Sequence, residues 1–239
     1  MKDIKISLVI PAYNEEKYIG ECLQAAIKNS GGRFYEIIVV DNNSKDKTAE
    51  VAKGYPNVKV VFGEEKGLTR ARQYGYEAAT GDVLAYIDAD TRMPSGWFDQ
   101  VVKEFSKNPG LAVLSGPYFY FDVPWYIKLE VKLYYYLALP IYFLVGYMAT
   151  GGNFAIRKSV LEKMKGFDTG ISFYGEDTNL ARRAHEFGKV KFKIGFVMHT
   201  SGRRFSGQGL ISTAYLYVLN FFSEVLWHKS VSKEYKDIR

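Results

Sequence analysis

Val83-Leu84-Ala85-Tyr86-Ile87-Asp88-Ala89-Asp90 is an apolar run that ends in two carboxylates one residue apart. Successive side chains of an extended strand point to opposite sides, so Asp88 and Asp90 are predicted to face the same way. Hard divalent cations such as Mg²⁺ or Mn²⁺ take oxygen ligands and commonly lie between carboxylates and the phosphates of a substrate. The stretch therefore indicates a two-carboxylate metal site, although an isolated Asp-x-Asp is more often a solvated turn.

Short apolar strands alternate with amphipathic helices along the first ninety residues, which predicts βαβ units and a Rossmann-type, mainly parallel α/β sheet flanked by helices. The strand patterns cover residues 2–11, 36–40, 58–62 and 83–87, and the helix patterns include 15–28 and 68–79. In such sheets, ligands bind beyond the carboxyl ends of the strands. Four loops are therefore predicted to converge on one crevice: residues 11–15, 41–44, 64–67 and 88–90.

The net charge and the cysteine count indicate which kinds of partner and which cellular compartment to expect. The chain has 239 residues, a formal net charge of +6 and one cysteine, Cys22, which has the spacing of a buried helix residue and cannot form an internal disulfide. A reducing compartment is expected. The basic balance suits an anionic nucleotide or an acidic membrane face, whereas no motif indicates nucleic acid. The N-terminus lacks the apolar region of a signal peptide, so a cytoplasmic protein at the inner face of the membrane is expected.

Residues 133–149 carry no charge but hold five tyrosines and Pro140. The stretch is shorter than the roughly 20 apolar residues that span a bilayer. A single span would also place the later motifs across the membrane from Asp90. A buried or interfacial hairpin is therefore predicted, with its aromatic side chains at the depth that favours them.

The second half of the chain contributes further polar candidates. Glu176 and Asp177 open a predicted helix, where the helix dipole alone could explain them. A last strand over residues 190–198 would deliver His199 to a sheet edge, as a metal ligand or as a structural histidine. Arg203 and Arg204 follow in a loop that suits a diphosphate or is simply solvated. Residues 210–227 have the pattern of an amphipathic helix, and the basic tail after it suits an anionic leaflet, although a helix that closes the core is the simpler interpretation.

These motifs resemble glycosyltransferase family 2, inverting nucleotide-sugar transferases with the GT-A fold. Residues 7–16, 37–46 and 67–90 resemble its donor half, and residues 151–188 resemble its acceptor half. The resemblance implies that Asp88 and Asp90 hold the metal and that Asp177, beside Glu176, is the general base. It further implies a donor site for a nucleoside diphosphate sugar, in which Pro11, Tyr13, Glu15 and Asp41 hold the base and ribose. The predicted donor-binding set also includes Gly67, Arg72, Asp88, Arg203 and Arg204. The chain departs from many members at Asn42, where they have Asp, and at Gln73, where they have Asn.

The resulting prediction is a single GT-A-like domain over residues 1–239. Its donor half covers residues 1–100, its acceptor half 101–205, and an amphipathic helix with a basic tail 206–239. The predicted reaction is metal-dependent, inverting transfer of a sugar from a UDP or GDP sugar to a hydroxyl of a glycan or lipid-linked saccharide. A hydroxyl must lose a proton as it attacks, which explains a base, whereas an ionised phosphate need not. A polyprenyl-phosphate glycosyltransferase and a non-catalytic nucleotide-binding protein of the same fold are the alternatives.

Overall fold

A computed structural model describes residues 4–171, 174–203, 219–221, 223–225 and 227. The strands in these ranges are β1 (Ile6–Ala12), β2 (Glu36–Asp41), β3 (Val58–Phe62), β4 (Val83–Ile87), β5 (Thr91–Arg92), β6 (Leu111–Ser115), β7 (Tyr118–Tyr120), β8 (Asn153–Arg157), β9 (Lys189–Phe192) and β10 (Met198–Thr200). The helices are α1 (Ile19–Ser30), α2 (Thr48–Lys53), α3 (Leu68–Ala78), α4 (Trp97–Lys107), α5 (Trp125–Val145), α6 (Lys158–Met164) and α7 (Glu176–His185).

A seven-stranded sheet in the order β3-β2-β1-β4-β8-β6-β9 forms the centre of the fold. The pairs β3–β2, β2–β1, β1–β4 and β6–β9 are parallel, and β8 runs antiparallel to both of its neighbours. Two hydrophobic cores pack against the sheet. The predicted α/β fold with a mainly parallel sheet is therefore confirmed.

Proline is unusual inside a central strand because it cannot donate a ladder hydrogen bond. Pro11 nevertheless lies in β1, between β2 and β4. The pairing with β4 runs only from Ile6 to Val9, while Pro11 aligns with Val40 of β2. Pro11 thus lies beyond the β4 ladder, at the carboxyl end of the sheet where the first predicted loop begins.

A second sheet of three short strands, β5-β10-β7, lies outside the large one. β10 pairs antiparallel with β5, which follows Asp90, and parallel with β7. The predicted single strand over residues 190–198 is wrong, because the chain turns between β9 and β10. The turn is closed by the Phe196 amide, which donates to the Lys193 carbonyl at 2.8 Å. The alternating apolar residues after Phe192 therefore belong to a turn and to a different sheet.

The hairpin predicted for residues 133–149 is also wrong, since α5 runs unbroken over 21 residues with Pro140 inside it. A proline removes one helical hydrogen bond. The cost falls near the end of this helix, which closes at Gly146, whose amide donates to the Tyr142 carbonyl at 2.7 Å. Across the described residues, no helix is both long and apolar enough to cross a membrane.

The remaining sequence predictions differ in detail. α1 begins at Ile19 rather than at residue 15, because the Glu15 carbonyl accepts the amides of Tyr18 and Ile19 in a turn before the helix. The greater part of the predicted amphipathic helix over residues 210–227 and the whole basic tail lie outside the described residues. The division into a donor half and an acceptor half stays a prediction.

Candidate active site

Asp88 and Asp90 lie on a turn directly after β4. The turn is closed by the Thr91 amide, which donates to the Asp88 carbonyl at 3.1 Å, so the two carboxylates are placed by a turn rather than by continued strand. Asp88 Oδ2 accepts a hydrogen bond from the Tyr118 hydroxyl at 2.8 Å. Asp90 Oδ2 lies 2.9 Å from Arg203 Nε, and Asp90 Oδ1 lies 3.5 Å from Thr200 Oγ1.

The donor atoms of these two side chains fit a hard divalent cation. Both offer carboxylate oxygens, and both remain partly open, with 35% of the Asp88 side chain and 13% of the Asp90 side chain exposed. Mg²⁺ is usually bound by one or two carboxylates together with water and substrate phosphates. Two aspartates in an open cleft match that pattern.

His199 does not lie beside Asp88 and Asp90. Within the described part of the chain, no three His, Cys, Asp or Glu side chains lie close enough together to hold a metal ion. Alternation along β10 explains the placement, since Thr200 faces Asp90 and His199 therefore points to the opposite side. The His199 ring lies 5.1 Å from the ring of Phe119. The metal role of His199 stays a prediction that this placement does not support.

Arg72 lies between Asp88 and Glu176. Its side chain is 1% exposed, its Nη1 contacts Glu176 Oε2, and its Nη2 donates to the Gly151 carbonyl at 2.5 Å. The same Nη2 lies 3.8 Å from Asp88 Oδ1. A buried guanidinium needs such partners, because an unpaired buried charge is strongly unfavourable.

Glu176 and Asp177 start α7 and face different neighbours. Burial raises the pKa of Glu176 to about 8; Arg72 opposes the shift, while Asp177 and Asp88 add to it. One guanidinium thus faces three carboxyl groups, which favours a proton on Glu176. Burial also raises the pKa of Asp177, against the opposing hydrogen bond from the Thr178 amide.

Side chain to backbone hydrogen bonds tie the loops at the carboxyl ends of β1, β2 and β3 together. The Asn42 amide nitrogen donates to the Glu65 carbonyl at 2.7 Å, and its oxygen accepts from the Gly67 amide at 2.7 Å. The Glu15 amide donates to Thr48 Oγ1 at 2.7 Å. Asn42 therefore fixes the loop before α3 in a way that an aspartate could not, because a carboxylate has no donor.

The predicted donor-site residues surround these loops. Asp41 Oδ1 accepts from the Ser44 amide at 3.2 Å at the end of β2. Lys66 Nζ lies 3.9 Å from the centre of the Tyr13 ring. Arg203 bridges Asp90 and Glu15, which brings the N-terminal and C-terminal donor residues together. Arg204 lies outside the described residues.

Sequence reasoning missed Tyr118, which donates to Asp88, and Thr200, which approaches Asp90. Tyr118 is one of 19 tyrosines, and no spacing distinguishes it from the others. The pairing of β7 with β10 places both side chains, and neither strand was recognisable as part of a second sheet. Burial and the Asp88 carboxylate raise the pKa of Tyr118 well above its ordinary value, so its hydroxyl stays protonated as a donor.

Comparisons with known proteins point to one family. The model of the family described as "Glycosyl transferase family 2" matches residues 7–165. Glycosyltransferase AglE of Haloferax volcanii is 35% identical over 107 residues, which are 42% of this chain and 35% of that protein. A dolichol-phosphate mannosyltransferase of Pyrococcus furiosus is 32% identical over 114 residues, which are 46% of this chain and 32% of that protein. The aligned segments thus span about a third of the length of these relatives.

Solved structures share the fold at lower identity. A mannosyltransferase of Pyrobaculum calidifontis, in complex with GDP-Man and Mn²⁺, matches with a TM-score of 0.65 and 21% identity, over 89% of this chain and 63% of that one. Glucosyl-3-phosphoglycerate synthase of Mycobacterium tuberculosis, in complex with Mn²⁺, UDP and phosphoglyceric acid, matches with a TM-score of 0.65 and 19% identity, over 94% and 78% of the two chains. At these identities the likeness concerns the fold.

Proposed function

This chain belongs to glycosyl transferase family 2, and from that premise we propose that it transfers a sugar from a nucleoside diphosphate sugar to a hydroxyl acceptor, with inversion at the anomeric carbon. The observation that carries the proposal is the arrangement around Arg72. This buried guanidinium contacts Glu176 and lies 3.8 Å from Asp88. The carboxylate pair suited to a cation thus lies close to the start of α7, where Asp177, the carboxylate proposed as the base, follows Glu176.

Asp88 and Asp90 are proposed to hold Mg²⁺ or Mn²⁺ against the diphosphate of the donor. When bound, the cation neutralises the charge that develops on the leaving diphosphate. Pro11, Tyr13, Glu15, Asp41 and Gly67 are the donor-binding candidates at the ends of β1 and β2 and before α3. The fold relatives were solved with GDP-Man and with UDP, and both bases are candidates for this chain.

Arg203 is proposed to move from the carboxylates to the diphosphate. In the structure it contacts Glu15 and Asp90 with its guanidinium. Arginine forms paired, charge-assisted hydrogen bonds with phosphate oxygens. The Arg203 guanidinium would hold the diphosphate of the donor beside the aspartates.

Asp177 is proposed as the general base. Neighbouring residues of a helix diverge by about 100°, and the Glu176 carboxyl group is directed to Arg72, so Asp177 is the one of the two that is not held in that contact. The acceptor oxygen would form the new bond to the anomeric carbon as its proton passes to the Asp177 carboxylate, while the bond from that carbon to the donor phosphate oxygen breaks and the nucleoside diphosphate leaves with the electron pair. The raised pKa of Asp177 suits this role, because a stronger base accepts the proton more readily near neutral pH.

The acceptor is proposed to be a glycan or lipid-linked saccharide presented at a membrane surface. α5 leaves large apolar side chains exposed along its length, including Trp125 at 75%, Leu137 at 65% and Leu144 at 87%. Aromatic and apolar side chains of this kind favour the membrane interface. Flotation with anionic liposomes at low salt tests this part, and Leu137→Ser with Leu144→Ser should leave the protein in the soluble fraction.

A polyprenyl phosphate is the second candidate acceptor. The exposed apolar face of α5 would suit it equally, and one relative is a dolichol-phosphate mannosyltransferase. This acceptor needs no base, because its phosphate is already ionised. Substitution of Asp177 should therefore lower turnover with a hydroxyl acceptor but not with a polyprenyl phosphate.

Calorimetry and single-turnover kinetics test the proposal. UDP and GDP titrated with and without Mn²⁺ should reveal metal-dependent binding of one nucleotide, and Asp90→Asn should remove it. Asp177→Asn should keep donor affinity and lower turnover by about 10² or more. Asp99→Asn is the matched control, because Asp99 is an exposed carboxylate paired with Arg33 on the surface. Undiminished turnover in Asp177→Asn would favour the polyprenyl phosphate, and no nucleotide binding at all would refute the transfer.

A further inference from the structure

We propose that Tyr118 is the positioning residue of the metal site, and that its hydroxyl fixes the Asp88 carboxylate in the orientation that holds a divalent cation. The inference rests on the proposed function, since it takes Asp88 to be a metal ligand. It adds a residue that lies in the short strand β7, outside the motifs that mark the donor site.

Asp88 needs an external restraint because its backbone belongs to a turn rather than to a strand. β4 ends at Ile87, and the next backbone bond joins the Thr91 amide to the Asp88 carbonyl. The Tyr118 hydroxyl donates to Asp88 Oδ2 at 2.8 Å, while Oδ1 lies 3.8 Å from Arg72 Nη2. With one oxygen hydrogen-bonded and the other facing a guanidinium, the plane of the carboxylate is set from two sides.

Gly152 makes this contact possible. A Cβ atom at this position would overlap both the Tyr118 hydroxyl and Asp88 Oδ2. Residue 152 therefore has to be a glycine, because the Tyr118 hydroxyl and Asp88 Oδ2 occupy the space that a side chain would need. A residue with any side chain would separate the tyrosine from the carboxylate.

The tyrosine is itself held by regular structure. Tyr118 aligns with Met198 in the parallel pairing of β7 with β10. Its amide donates to the Tyr135 hydroxyl of α5 at 3.3 Å. Two residues along β10, Thr200 approaches Asp90. The three-stranded sheet thus carries a polar side chain to each of the two carboxylates, and it can hold them more rigidly than a loop could.

Carboxylates that bind a metal are usually hydrogen-bonded in turn, and removal of such a partner costs about 10-fold to 100-fold in metal affinity or activity. We therefore expect Tyr118→Phe to weaken Mn²⁺ binding by that factor while the fold is kept, because the substitution removes one oxygen and retains the ring. Gly152→Ala should weaken it at least as much, because it forces the two groups apart.

Free Mn²⁺ measured by electron paramagnetic resonance provides a readout that does not depend on turnover. Mn²⁺ is titrated into the wild type and each variant in the presence of UDP and, separately, of GDP. Tyr142→Phe is the matched control, because the Tyr142 hydroxyl also donates a hydrogen bond, at 3.2 Å to the Val190 carbonyl, but does not contact Asp88 or Asp90. The unfolding midpoint of each variant is measured alongside.

Weakened Mn²⁺ binding in Tyr118→Phe, with wild-type binding in Tyr142→Phe, is the expected result. Mn²⁺ affinity in Tyr118→Phe within twofold of the wild type, or above it, would overturn the inference and leave the proposed function standing. A wild type that binds neither nucleotide with Mn²⁺ would overturn the proposed function itself.

Discussion

The protonation of Glu176 in the folded protein can be tested through the pH dependence of stability. Glu176 is 8% exposed and contacts the buried Arg72, yet Asp177 and Asp88 lie near the same guanidinium. Burial raises the pKa of Glu176 from 4.5 to about 8. The folded state therefore binds this proton more tightly than the unfolded state does.

The sign and size of the effect follow from proton linkage. A carboxyl whose pKa is raised in the folded state contributes stability that is fully present below about pH 4.5 and is lost as the pH rises towards 8. Each unit of pKa difference corresponds to about 1.4 kcal/mol. With pKa values of about 8 folded and 4.5 unfolded, the contribution of Glu176 to the free energy of unfolding should fall by about 2.5 kcal/mol between pH 5 and pH 7.

Urea unfolding of the wild type and of Glu176→Gln at pH 5, 6 and 7 measures this contribution as the difference between the two proteins. Glu104→Gln is the matched control, because Glu104 is also buried but contacts Lys191 and Lys193. Burial alone would raise the pKa of Glu104, but the hydrogen bonds from both lysines outweigh it and lower the pKa. Its stability contribution is therefore lost only below this range, and the control should follow the wild type between pH 5 and pH 7.

A difference between wild type and Glu176→Gln that stays constant from pH 5 to pH 7 would refute the reasoning. Glu176 would then be ionised in the folded protein throughout the range and would form an ordinary ion pair with Arg72. In that case the proton would be expected on Asp177 or Asp88 instead, since both carboxyl groups interact with the same Arg72 guanidinium.

Two further predictions concern the donor loops and the proposed base. Asn42→Asp should lower the free energy of unfolding by about 1–3 kcal/mol, because a carboxylate cannot donate to the Glu65 carbonyl. Urea unfolding measures the loss. Stability equal to that of the wild type would show that this hydrogen bond contributes nothing. Turnover should decline with falling pH at a pKa above the 3.8 of an ordinary aspartate, because burial raises the pKa of Asp177. The turnover rate measured between pH 4 and pH 8 gives this pKa. A rate that does not fall at the acidic end of the range would argue against Asp177 as the base.

Alternation of strands and helices was sufficient to predict the parallel part of the large sheet. β1 has alternating apolar residues, β2 and β4 hold continuous apolar runs, and β3 is apolar except for Lys59. These patterns and the turn residues that bound them are local signals. Because parallel strands end at the same edge, the convergence of their loops follows from topology alone. Asn42 illustrates the limit: its position in a loop was readable, but the two hydrogen bonds to the next loop depend on tertiary placement.

Prediction failed where the decisive contacts are between distant segments. Pro140 indicated a break, yet α5 continues through it because a helix loses only one hydrogen bond there. Residues after Phe192 continue an alternating pattern, but they turn and pair with β7 and β5, more than seventy residues away in sequence. No local pattern encodes that second sheet, and the contact of Tyr118 with Asp88 depends on it.

The same buried contacts explain why the segments before and after residue 100 fold around each other. β4, which leads into the two aspartates, pairs with β8 from the later part of the chain. Trp97 Nε1 donates to the buried Asn153 Oδ1 at 2.9 Å, and Arg72 contacts Glu176. Both hydrophobic cores contain residues from before and after residue 100. If the segments were separated, Arg72 and Glu176 would each lose their main partner in the interior. An unpaired buried guanidinium is strongly unfavourable, so the contact of Arg72 with Glu176 requires the two segments to fold together.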